Sequence, residues 1–309
     1  MELPDEDTLR FIVTSYARVR EGFADLLPGA VLLQPTAEHF PDEVEASPEG
    51  VRRVLDRVRS YSPLSADLPL ELGFVEDEGA SKGGGCGTGA CGTGAKAGGD
   101  AARGGVVETA DGYGVLVHVA DASDPTLLVA SLCRGVGAVV LAEGEVDVSP
   151  KVAGPLSEIA CVAMGMGVLL ASAACLYKKG CGGMRMHQGT FLGVEELSTL
   201  LALYTRVHGV KPSLARAHLE TTQREAFDEA LRWVDSNDAL VEALRDAPHT
   251  LSDGVFAIEP TKGLLGRWFK RKAPPVATTP AATPRRKRSP EEERRLAEAR
   301  ALVDEALGE

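Results

Sequence analysis

The sequence predicts an α+β domain with a helical core, a small mixed sheet near its N-terminal end, and a C-terminal tail that stays disordered. Three observations carry this reading. Apolar residues recur at helical spacing over several long segments, two stretches alternate in period two, and the composition changes abruptly after Pro260. The 309 residues, 44% hydrophobic, suffice for one sizeable core with appendages. The expected divisions are residues 1–80 for an N-terminal α/β part, 81–105 for a Gly- and Cys-rich flexible loop, 106–260 for the helical core, and 261–309 for the tail.

Taken in order, Asp7 to Leu27 mixes apolar and polar residues with helical period and closes at Pro28-Gly29. Ala30 to Leu33 reads as a short buried strand ended by Pro35. Glu49 to Arg59 places Val51, Val54, Leu55 and Val58 on one helix face. Pro69 to Val75 alternates and reads as a strand. Gly105 to Thr109 and Gly112 to Ala120 form a hairpin joined by Asp111-Gly112, a strong turn signal. A helix with an Asp124 cap and Pro125 at its first position then runs to Ala142. Beyond it, Ile159 to Tyr177 holds no charge over 19 residues, long enough to weigh as a membrane span against a helix buried in a domain. Its Gly, Ala, Ser and Cys content and its lack of upstream aromatic anchors favour the buried helix. Lys178 to Gly193 reads as a surface loop with Cys181 and His187, and 194–207 and 215–245 as amphipathic helices.

The segment 81–105 has no residue able to anchor a core, and it nearly repeats Cys-Gly-Thr-Gly-Ala. Gly89 to Lys96 approaches a phosphate loop, but the lysine stands one position late, no Ser or Thr follows, and no apolar strand precedes it. Cys86 and Cys91 supply at most half of a tetrahedral metal site, which Cys133, or Cys175 with Cys181, would have to complete. A flexible loop is the simpler reading, with no cofactor expected.

The oddest feature is the middle of the helix after Asp124, where Gly135 and Gly137 flank Val136 and Arg134 interrupts the apolar run. Each glycine costs about 1 kcal/mol relative to alanine in a helix interior. The frame 128–141, LVASLCRGVGAVVL, resembles the metal-binding helix of zincin-like metallopeptidases, in which a His-Glu-x-x-His run sits inside such an apolar helix. On that pattern the first His falls on Arg134, the Glu on Gly135 and the second His on Ala138. Residues 157–167 resemble the second helix of uncharacterised bacterial zincin-like proteins, with an acidic residue at Glu158. Residues 197–206 resemble their third helix, and 34–42 their strand-to-loop entry. The likeness spans Leu9 to Gly209, about two thirds of the chain.

In that motif two histidines at i and i+4 hold zinc, and the glutamate activates the metal-bound water. A guanidinium has no lone pair to give, and Gly and Ala have no functional group. The resemblance therefore implies a degenerate zincin-like core without that hydrolytic route: a pseudoenzyme serving as a binding or scaffold protein. Burying Glu158 without a metal leaves a costly charge, which Arg134 is expected to neutralise by pairing with it. Two other classes stay open. One is a cysteine-dependent enzyme with Cys133 as nucleophile and His118 or His187 as base, or a zinc protein using Cys86, Cys91 and Cys133. The other is a membrane-associated scaffold.

A formal charge of −12 argues against nucleic acid as a partner of the main body. The acidic start, Glu2 to Asp7, lacks the basic region of a signal peptide, and with that the cysteines are expected reduced in a cytoplasmic protein. The tail differs from the body. Trp268 and Phe269 stand among cations, and Arg285, Arg286, Lys287 and Arg288 follow a Pro/Ala/Thr linker, a composition suited to an acidic protein partner or an anionic membrane surface.

Overall fold

The computed structural model describes residues 2–23, 27, 31–41, 45, 47–76, 105–144, 146, 148–180 and 183–261. The chain divides into residues 1–263 and 264–309, and the second unit lies outside the described residues. So do Cys86, Cys91, Cys181, Trp268, Phe269, Arg285, Arg286, Lys287 and Arg288.

Three of the longer helices start on local capping chemistry. Helix α1, Glu6–Gly22, begins where the Asp5 carboxylate accepts from Thr8 N–H at 2.8 Å. Helix α2, Pro48–Ser60, begins on Ser47, whose hydroxyl accepts from Gly50 N–H at 3.0 Å, with Pro48 supplying the preset first turn. The same device starts α4, Pro125–Glu143: Asp124 accepts from Thr126 N–H at 3.0 Å and Leu127 N–H at 3.3 Å.

Three strands form a mixed sheet in the order β1-β3-β2, with β1 Leu70–Val75, β2 Val106–Glu108 and β3 Tyr113–His118. The Asp111-Gly112 turn joins β2 to β3 antiparallel, with Val107 opposite Gly114, while β1 runs parallel to β3, with Leu72 opposite Val115. The sheet is thus not confined to the N-terminal part, since its central strand comes after the glycine-rich segment. After the short helix α3, Val119–Ala122, α4 crosses the domain with most of its length buried and packs on α5, Ala153–Ala163.

Three expectations are corrected here. The uncharged run 159–177 is not one helix: α5 ends at Ala163, Gly165 turns at φ +89°, α6 spans Gly167–Ala173, and strand β4 starts at Leu176. A side chain at Gly165 would meet Val31 O and, at 2.9 Å, the Tyr204 hydroxyl, so both conformation and space demand glycine there. Among the described residues the helix long and apolar enough to cross a membrane is α4, and it is mostly buried in the domain. Of the segment Ala30 to Leu33 expected as a strand, Ala30 lies outside the described residues and 31–33 form no strand. Leu32 and Leu33 are buried, but their backbone is held singly, Leu33 N–H donating to Gly165 O at 3.0 Å and Val31 O accepting from the Tyr204 hydroxyl at 3.0 Å, with no ladder to extend. Finally, 178–193 is not all loop: β4, Leu176–Gly180, pairs antiparallel with β5, Gly183–His187, with Tyr177 opposite Met186.

The remaining helices are α7, Val194–Val207; α8, Pro212–Arg216; α9, Thr221–Val234; and α10, Asp238–Asp246. Helix α7 carries a nearly continuous buried face and packs against α9 and α6. The chain then straps back over α1, where Arg10 donates to Gly254 O at 2.9 Å and Phe256 O at 2.8 Å, and Arg18 holds Ser252 O.

Candidate functional site

The glycines of α4 have contact reasons. A side chain at Gly135 would strike Val115 of the central strand, and one at Gly137 would strike Ser157 O and, at 2.6 Å, Cys161 Sγ of α5. The helix is thus narrowed on two sides so that β3 and α5 approach its backbone. This packing gives each glycine a contact reason that outweighs its cost in helix propensity.

Arg134, one residue before, points its guanidinium into this crowded centre and is 3% exposed, while Glu158 of α5 is wholly buried. Their charges meet, Arg134 Nη1 lying 3.6 Å from Glu158 Oε1. The same guanidinium donates to Gly189 O and, through Nη2, to Ser131 Oγ at 2.9 Å, and it lies 5.3 Å from the centre of the Phe191 ring. Ser131 in turn donates to Asp121 Oδ2 at 3.2 Å. Both Glu158 oxygens are engaged elsewhere: Oε1 accepts from Phe191 N–H and Oε2 from Leu192 N–H, each at 2.8 Å. The pair therefore pins the loop before α7 to both core helices.

Desolvation pushes the Glu158 carboxyl up to about 7, opposed by the Arg134 charge and by the two backbone N–H donors. This carboxyl titrates near neutrality although it lies in the core.

Arg134, Gly135 and Ala138 line one face of a cavity of about 340 Å³. Val106, Val107 and Leu116 of the sheet, Ala153, Gly154 and Ser157 of α5, and Phe191 close it, so Arg134 is the charged residue among the described lining residues. The donor set does not fit zinc. Glu158 is the one metal-binding side chain among the four positions set by the zincin pattern, and the guanidinium beside it repels a second cation. Among the described residues no group of three or more His, Cys, Asp and Glu is placed to hold a metal ion.

Compared with known proteins, the chain matches no family model, no curated protein and no solved structure.

The cysteine reading meets an obstacle in burial. Cys133 is fully enclosed in α4 and its thiol is pushed up to about 12 by desolvation, so it is protonated at neutral pH and lacks the thiolate a nucleophile needs. Its carbonyl accepts from Cys161 Sγ at 2.9 Å, and Cys175 is buried as well. His118 ends β3 and serves structure, its Nδ1 accepting from Ala120 N–H at 3.2 Å to cap α3. His187 lies exposed at the end of β5.

What sequence reasoning missed is the acceptor and donor set of residues 189–192, which receives both charges. Those partners are backbone groups, which no residue type advertises.

Proposed function

We propose that this chain is a non-catalytic binding protein built on a degenerate zincin-like core, with the cavity over Arg134 as the seat for a segment of a partner. The observation that carries the reading is Arg134, paired in the core with Glu158, at the wall of a cavity that is lined in part by the three positions where the zincin pattern places its metal ligands and general base. A fixed guanidinium there satisfies the carboxylate without a metal. Apolar walls and the neighbouring β2 strand suit an extended segment, which would bury side chains in the cavity while its backbone follows the sheet.

The frame is tested by restoring ligands. In a Cys86→Ser/Cys91→Ser background, the Arg134→His/Ala138→His variant places two histidines at i and i+4 beside Glu158 and is expected to bind stoichiometric zinc, measured by elemental analysis after dialysis, while the parent chain binds none. A folded variant that takes up no zinc, or a parent chain that holds zinc and cleaves peptides, overturns the proposal.

A further inference from the structure

A second cavity, of about 490 Å³, lies away from Arg134 among the loop 35–40, the first turns of α4, α6, β4 and the connection between α8 and α9. Its apolar lining comes from Phe40, Val129, Leu169 and Leu176, and its charged or ionisable lining residues are His218 and Glu220. Nothing in the sequence resemblance involves either. The volume falls within the range of ordinary small-molecule sites, and the lining has the usual composition of such sites, apolar walls with a few convergent polar groups.

Glu220 is the feature that sets ligand chemistry. It occupies the N-cap position of α9, yet its side chain makes no capping hydrogen bond, and among the described residues it forms no ion pair. His218 likewise uses only its backbone, its N–H donating to Ala215 O at 3.1 Å. Two polar side chains at the cavity are therefore uncommitted to the fold. No Lys or Arg lines the cavity among the described residues, Glu220 is its one carboxylate, and the whole chain carries −12, so these charges favour a cation over an anion there.

We infer that this cavity binds a small amphipathic amine, its ammonium group on the Glu220 carboxylate with His218 as a second hydrogen-bonding partner, and its alkyl or aryl body against Phe40, Val129, Leu169 and Leu176. The apolar walls supply affinity and the lone carboxylate supplies the choice of charge. An exposed carboxylate at a mouth adds modestly by itself, so discrimination between cation and anion reads more clearly than absolute affinity.

The test uses the full chain with n-octylamine below its micelle concentration, and with 1-octanol and octanoate as neutral and anionic probes of the same length, by titration calorimetry. The amine is expected to bind at least tenfold more tightly than octanoate, with octanol between them. Glu220→Gln, at an exposed position, should bring amine and alcohol to within about threefold of each other. Val129→Trp, which fills the cavity from α4, should abolish binding of all three while circular dichroism shows the fold retained. Octanoate binding as tightly as the amine, no binding of the amine, or amine binding unmoved by either substitution overturns the inference.

Discussion

Replacing Arg134 with methionine tests the central pair through its pH dependence. In the folded chain the Glu158 carboxyl titrates at about 7, against 4.5 when solvated, so the folded state binds an extra proton between those values. Stability from this group is fully present below pH 4.5 and is lost as pH rises through 7. At about 1.4 kcal/mol per pH unit the total loss is on the order of 3 kcal/mol. With Arg134 present the decline then levels off, because above pH 7 the carboxylate is ionised in both states. Arg134→Met removes the charge that holds the carboxyl down, leaving desolvation to raise it further, so the decline continues past neutrality at about 1.4 kcal/mol per pH unit. The lost hydrogen bonds to Gly189 and Ser131 add a pH-independent cost of about 1–3 kcal/mol. Urea unfolding between pH 5 and 9 should show two curves that run parallel up to neutrality and then diverge, by roughly 2 kcal/mol at pH 8.5. Curves parallel over the whole range would refute the argument, since they would mean that the guanidinium does not set the ionisation of Glu158.

Three further outcomes follow from the same structure. Gly137→Ala gains about 1 kcal/mol of helix propensity but drives a methyl into Ser157 O and Cys161 Sγ, for a net loss of about 1–3 kcal/mol in thermal unfolding, whereas Gly22→Ala at the open end of α1 should be neutral or slightly stabilising. His208 accepts from Arg20 Nη1 at 2.8 Å and is pushed down to about 4 by burial, then by Arg20 and Arg245, so the folded state binds fewer protons than the unfolded between 4 and 6.5. Stability is held above pH 6.5 and falls as pH drops through 4, by roughly 1–2 kcal/mol after allowing for the ring's partial exposure, and His208→Gln should flatten that acid limb in urea titrations. In alkylation at pH 8 read by peptide mapping, Cys133, Cys161 and Cys175 should stay unlabelled in the native protein and react fully in urea, because burial keeps these thiols enclosed.

Local chemistry made the secondary structure legible where it depends on neighbours in the chain. Asp124, followed by Pro125, starts a helix because its side chain answers N–H groups two and three residues on, and the helix over Glu49 to Arg59 shows in its own apolar face. Asp111-Gly112 turns the chain for a comparable reason, and the helix over 194–207 follows from its own apolar periodicity. The pairing of Arg134 with Glu158 was also readable, because two charges in apolar helices must meet or pay for separate burial.

Other features needed partners distant in sequence. Gly165 breaks the uncharged run because Val31 O and Tyr204 crowd its Cα from segments far away in the chain. Residues 176–180 and 183–187 pair as antiparallel strands although the lysines and glycines from 178 on read as loop. The roles of Gly135 and Gly137 came from the approach of β3 and α5, and the loop that receives Glu158 acts through backbone N–H groups that any residue carries. The Glu220 cavity is likewise assembled from five separate parts of the chain. By itself the sequence determined where a capped helix such as α4 begins, where the Asp111-Gly112 turn falls and which charges require a partner, because those depend on adjacent residues and on the cost of burying charge. The tertiary structure decided which backbones meet, which glycines are obligatory and where cavities open, because those depend on the distance between surfaces that the linear order does not contain.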